Sequence, residues 1–83
     1  MGLDIVEMVM EVERTFRFEI PDAEAGKLRT VGDLHRYIRE HVEDAPEDPE
    51  LWERLVAVVE RESGTPRERI RRESSFVHDL RMD

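Results

Sequence analysis

The sequence contains no cysteine. That removes a disulfide framework, a thiol nucleophile and a zinc knuckle together. It also lacks a long apolar run, so neither a secretory leader nor a membrane span is expected and the cytoplasm is the expected compartment. Bases are in deficit: 13 Lys and Arg stand against 21 Asp and Glu, for a formal net charge of −8. Nucleic acid and anionic membrane both demand clustered Lys and Arg, so neither is an expected partner, whereas a basic protein surface is. Aromatics are 6% and charged residues 41% of 83 residues, which leaves material for one small domain with one modest core. Met1-Gly2 opens like a myristoylation signal, but Val6 stands where that signal needs Ser or Thr. His35 and His41 lack a third ligand at useful spacing, and the acidic run at 43–49 lacks the glycine of a calcium loop, so no metal is expected. No paired catalytic groups converge at recognisable spacing, so an enzyme is not the expected reading.

What the chain does have is a strong helical signal from Leu3 to Phe16. Ile5, Val9, Val12 and Phe16 follow the i, i+4, i+7, i+11 spacing of a core-facing stripe, with Met8 beside it. Leu3, Val6 and Met10 form a second apolar row displaced around the helix, interleaved with Asp4, Glu7, Glu11 and Glu13. One buried face needs only one row. The second row is either a further packing face inside a small bundle or, ringed by carboxylates, a docking face for a basic partner.

Beyond Phe16, Pro21 keeps Ile20 out of the helical region, so 17–22 reads as an extended connector pinned by Phe18 and Ile20. Residues 22–28 make at most a short helix, weakened by Gly26. Thr30-Val31-Gly32-Asp33 has the form of a capping box, and Val31, Leu34, Ile38 and Val42 continue it as a second full helix. Tyr37 falls at the edge of its buried face, with His35 and His41 on or near the wet side. Two prolines and four acids mark 43–49 as a linker, whose Asp48-Pro49 supplies the cap and start of the next helix. That helix carries Leu51, Leu55, Val58 and Val59, with Trp52 and Val56 alongside, and stops at Gly64. A brief turn at Thr65-Pro66-Arg67-Glu68 follows, anchored by Ile70. Arg67, Arg69, Arg71 and Arg72, mixed with Glu68 and Glu73, read as a solvated loop. The last stretch has no clear period and three apolar anchors, Phe76, Val77 and Leu80. The expected fold is an all-α bundle of three long helices and one short one.

Both ends of the sequence look like interior pieces of a domain. Leu3-Asp4-Ile5-Val6-Glu7-Met8-Val9-Met10, Phe16, Glu19-Ile20-Pro21-Asp22 and Thr30-Val31-Gly32-Asp33 resemble the second half of an acyl carrier protein. Gly64 and then Ser75-Phe76-Val77-His78-Asp79-Leu80, followed by Arg81-Met82-Asp83, resemble the first half of the same family, up to its Asp-Ser-Leu site. The halves are in reversed order. The resemblance therefore implies a single circularly permuted carrier domain over 1–83, with 1–42 as the family's C-terminal half, 43–49 as linker and 50–83 as its N-terminal half. A fragment spanning two tandem carriers would give the same order.

The resemblance further implies an acyl-carrier-like four-helix bundle and a 4′-phosphopantetheine arm on a serine at the start of the first helix. Here Gly2 occupies that serine position, flanked by Leu3 and by Asp83 across the opening, so no arm is expected on this chain. Ser63, Ser74 and Ser75 are the only serines, and none has the Asp-Ser-Leu setting. The family's recognition helix implies Leu3, Asp4, Val6, Glu7, Met10 and Glu13 as partner-binding residues, with Arg14 and Thr15 where acids are frequent in the family. Implied partners are a phosphopantetheinyl transferase and the acyl-transfer or synthase enzymes of fatty acid or polyketide assembly. The alternative is a non-carrying interaction module, or a swapped dimer, that uses the same fold.

Overall fold

The computed structural model describes residues 3–82. Its first element, α1, runs Leu3–Phe16 and buries Ile5, Met8, Val12 and Phe16, with Val9 half-buried beside them. The stripe stops because Arg17 turns left-handed at φ 57° and the Phe18 amide donates to the Glu13 carbonyl at 3.1 Å. This is a Schellman closure built on a residue other than glycine. The connector that follows is fastened by the Ile20 amide, which donates to the Glu13 carboxylate at 2.7 Å and leaves Ile20 buried.

The short helix α2 is a single turn, Asp22–Ala25, whose one buried residue is Ala25. Helix α3, Val31–His41, begins at the expected capping box. The Asp33 amide donates to Thr30 Oγ1 at 3.1 Å, and the Thr30 amide returns to Asp33 Oδ2 at 3.2 Å. Aspartate is short for this role, but it reaches because the Arg29 amide also donates to the same oxygen, at 3.1 Å. Helix α4, Glu50–Ser63, buries Leu51, Leu55, Val56, Val58 and Val59 and ends at Gly64, whose φ of 75° favours a residue without Cβ. It packs along α1 and more briefly against α3 and a 3₁₀ turn at Arg67–Arg69. The all-α architecture of three longer helices and one short one is as the sequence implies.

Segment 70–82 closes the bundle by lying across the start of α3. The Val31 amide donates to Ser74 O at 3.0 Å, Gly32 to Arg72 O at 2.7 Å, and Phe76 to Arg29 O at 3.0 Å. Ile70, Phe76, Leu80 and Met82 reach the core from this segment. Ser75 and Asp79 cap its final turn reciprocally: the His78 amide donates to Ser75 Oγ at 3.1 Å and the Ser75 amide to Asp79 Oδ2 at 2.7 Å.

Three expectations are corrected here. His35 is not on the wet side but 1% exposed, because segment 70–74 and Asp48 cover it. Its position four after Val31 and three before Ile38 places it on the apolar stripe, a signal outweighed in sequence by its polar chemistry. Arg72 is not simply solvated: its guanidinium lies 5.1 Å from the Trp52 ring centroid and 3.3 Å from His35 Nδ1. Val77 is not an anchor; it is 47% exposed, since the Ser75–Asp79 turn points it outward. His41, by contrast, is exposed as expected, stacked on Tyr37 at 4.0 Å and donating from Nδ1 to the Tyr37 carbonyl at 3.0 Å.

Candidate functional site

Helix α1 presents two faces of opposite character. With 3.6 residues per turn, Val6 and Met10 lie roughly 115° and 155° round the axis from the centre of the buried row of Ile5, Met8, Val12 and Phe16. They are 38% and 51% exposed, so these two members of the second apolar row do not pack inside the bundle. Asp4 and Glu7 are exposed beside them. Leu3 is the first residue of the helix, whereas Gly2 and Asp83 lie outside the described residues.

The remaining acids of the helix are engaged within the chain. Glu13 is half-buried and fixes the connector through Ile20. Glu11 pairs with Arg14 at 2.8 Å and with Arg61 of α4 at 3.4 Å. The face thus has an acidic first half and a neutralised second half.

Next to the start of α1 is a feature that sequence reading missed. A cleft of about 330 Å³ opens between α1, α2 and the 75–78 turn, lined on its apolar side by Ile5, Ala25, Leu28, Phe76 and Val77. Periodicity could not find it, because α2 is a single turn and the 75–78 turn has no period. The available signal was Ala25 and Leu28, two apolar residues in a segment too short for a core of its own.

None of the three serines stands at the start of a helix, and each hydroxyl oxygen accepts from a backbone amide. Ser63 Oγ accepts from the Thr65 amide at 3.1 Å at the end of α4. Ser74 is buried and accepts from the Arg71 amide at 2.9 Å, and Ser75 closes the turn described above. The start of α3 is also closed to an anion. The amides of Val31, Gly32 and Asp33 are all taken by Ser74 O, Arg72 O and Thr30 Oγ1. No group of acids, histidines or cysteines among the described residues is arranged to hold a metal ion.

Over 37 residues the chain is 61% identical to the acyl carrier protein of Wolinella succinogenes, a match covering 45% of this chain and 49% of that protein. It is 50% identical over 43 residues to the acyl carrier protein of Clostridium acetobutylicum, covering 52% of this chain and 56% of that one. The acyl carrier protein of Lactobacillus johnsonii matches at 54% over 40 residues, 48% of this chain and 50% of its own length. About half of this chain is similar to acyl carrier proteins. The chain spans about half the length of the curated relatives it matches. No family model matches, and no solved structure does. No helix among the described residues is long and apolar enough to cross a membrane.

Proposed function

We propose that this chain is an acyl-carrier-type module that docks basic partner enzymes through α1 and has no chemistry of its own. The observation that carries the reading is the exposed pair Val6 and Met10, flanked by exposed Asp4 and Glu7, on a helix whose opposite face is fully buried. Apolar residues set among like charges suit a partner that supplies both an apolar contact and positive charge. Leu3 and Glu13 complete the proposed face, Glu13 with the reserve that its carboxylate already holds Ile20. Partners of the expected kind are a phosphopantetheinyl transferase and acyl-transfer or synthase enzymes.

The reading extends to the order of the chain. Residues 1–42 act as the second half of a carrier domain, 50–83 as its first half, and 43–49 as the linker of a circular permutation. Relatives that align over only about half of either chain are what a collinear comparison yields when two halves are exchanged. With Gly2 at the serine position, the chain docks without bearing an arm of its own. The second reading, a non-carrying interaction module or swapped dimer, is favoured by the same exposed row, which would then meet another copy.

The test has two parts. Incubation with coenzyme A and a promiscuous phosphopantetheinyl transferase should leave the intact mass unchanged; a gain of one phosphopantetheine overturns the site assignment. Binding to the same transferase, measured by interferometry, should weaken on Met10→Ala and with rising salt. Self-association abolished by Met10→Ala, without any transferase binding, would establish the second reading instead.

A further inference from the structure

His35 is the one histidine in the buried core, and both of its ring nitrogens are engaged. Nε2 lies 2.8 Å from Asp48 Oδ1, and Nδ1 lies 3.3 Å from Arg72 Nη1. Arginine can only donate, so Nδ1 is the acceptor and the single ring proton sits on Nε2, donated to Asp48. The tautomer is thereby fixed by its neighbours. Arg72 is seated a second time, over the face of Trp52, while His35 meets Trp52 edge-on at 5.5 Å and 85°. Asp48 Oδ1 also accepts from the Trp52 amide at 3.2 Å. One chain of contacts therefore ties the 43–49 segment, α3, α4 and segment 70–74 together.

A second proton on this imidazole has one place to go. It must enter at Nδ1, where the Arg72 guanidinium stands, converting an acceptor into a donor that faces another donor. The charges facing the ring are few. Asp48 holds Nε2 from the linker side, and Arg72 and Glu73 approach from segment 70–74. Arg36 and Arg39 of α3 line the same cleft of about 240 Å³. An imidazolium would be a fourth positive group in that cleft, against Glu73 within it and Asp48 behind the ring. His35 is enclosed and kept by Asp48, whereas Arg72 is a long side chain on an exposed residue. Arg72 is the group that yields.

We propose that Asp48, His35 and Arg72 form an acid-released clasp, in which protonation of His35 at Nδ1 expels the Arg72 guanidinium from its seat against His35 and Trp52 and frees segment 70–74 from its side-chain tie to α3 and α4. The backbone bond from Gly32 to Arg72 O remains, so the segment loosens without detaching. Segment 70–74 leads directly into Ser75, Phe76 and Val77, which wall the apolar cleft beside α1. Acidification thus acts on that wall from a distance.

The full chain, labelled with ¹⁵N, tests this by a pH titration that follows the His35 ring nitrogens, the Trp52 indole and the backbone amides of 70–74. At neutral pH the ring should be in its Nε2–H form. On acidification the 70–74 amides and the indole should shift with the same midpoint as His35. In Arg72→Met, a surface change expected to leave the fold intact, His35 should still titrate while the coupled shift of the 70–74 amides is lost. An Nδ1–H tautomer, 70–74 amides that stay in place through the His35 titration, or amides that follow it equally in Arg72→Met would each overturn the proposal. So would a chain that unfolds before the ring takes its second proton.

Discussion

Gly32 and Arg72 are in backbone contact: the Gly32 amide donates to the Arg72 carbonyl at 2.7 Å, and a Cβ on Gly32 would stand 2.8 Å from that oxygen. The nearest opposing atom is backbone, and the Arg72 Cβ and carbonyl carbon stand 3.3 and 3.4 Å from the added methyl, so no flexible group can move aside. The closure of segment 70–82 over α3 therefore depends on a missing methyl group.

Gly32→Ala should destabilise the chain even though alanine is the better helix former. The propensity gain is at most about 1 kcal/mol. Overpacking against fixed backbone takes about 1–3 kcal/mol. Urea unfolding should show a lower midpoint, and a midpoint raised by the substitution would mean that the segment shifts freely.

Arg17→Gly should act in the opposite sense. Arg17 is exposed and holds φ 57° to close α1. A side chain in that region is disfavoured by about 1–2 kcal/mol, which glycine avoids, although glycine gains more freedom in the unfolded chain. A net stabilisation of about 0.5–1 kcal/mol is expected in the same urea experiment.

Met8 and Met10 are two residues apart and should behave differently. Met8 is 1% exposed in the core and Met10 is 51% exposed. Met8→Ala should lower stability by about 2–5 kcal/mol. Met10→Ala should stay within about 0.5 kcal/mol of the parent. Thermal unfolding of the pair separates the packing face of α1 from its free face.

Asp48 sets an acid limit on stability. The hydrogen bond from His35 holds its carboxyl below the ordinary carboxylate range, overcoming the burial that raises it, with further lowering from the Trp52 amide and the charge of Arg72. The unfolded chain then takes up this proton at higher pH than the folded one. The contribution is whole above the unfolded value and is lost as pH falls through the folded one. Urea midpoints compared at neutral pH and below pH 4 should fall less in Asp48→Asn than in the parent chain.

The parts of the fold legible in the sequence are those decided by neighbours along the chain. The Thr30–Asp33 box, the Gly64 stop and the buried row of α1 each depend on residues within a turn or two. The free row of Val6 and Met10 was legible as a pattern, but only the packing shows that these two residues stay exposed. Contacts made by segment 70–82 were not legible. The burial of His35, the seat of Arg72 on Trp52 and the outward turn of Val77 depend on which distant residue the loop meets. The apolar cleft escaped for the same reason, since three short segments share it.

With Glu11 and Glu13 engaged inside the chain, the free surface of α1 is graded along its axis rather than uniformly acidic. Asp4 and Glu7 lie exposed at one end, and Arg14 and Arg17 at the other. The gradient runs with the helix dipole's own preference for anions at its N-terminus and cations at its C-terminus. A surface of uniform positive charge is attracted at one end and repelled at the other. It does so whichever way the helix lies, so only a surface whose own charge is graded would tell the two directions of this helix apart.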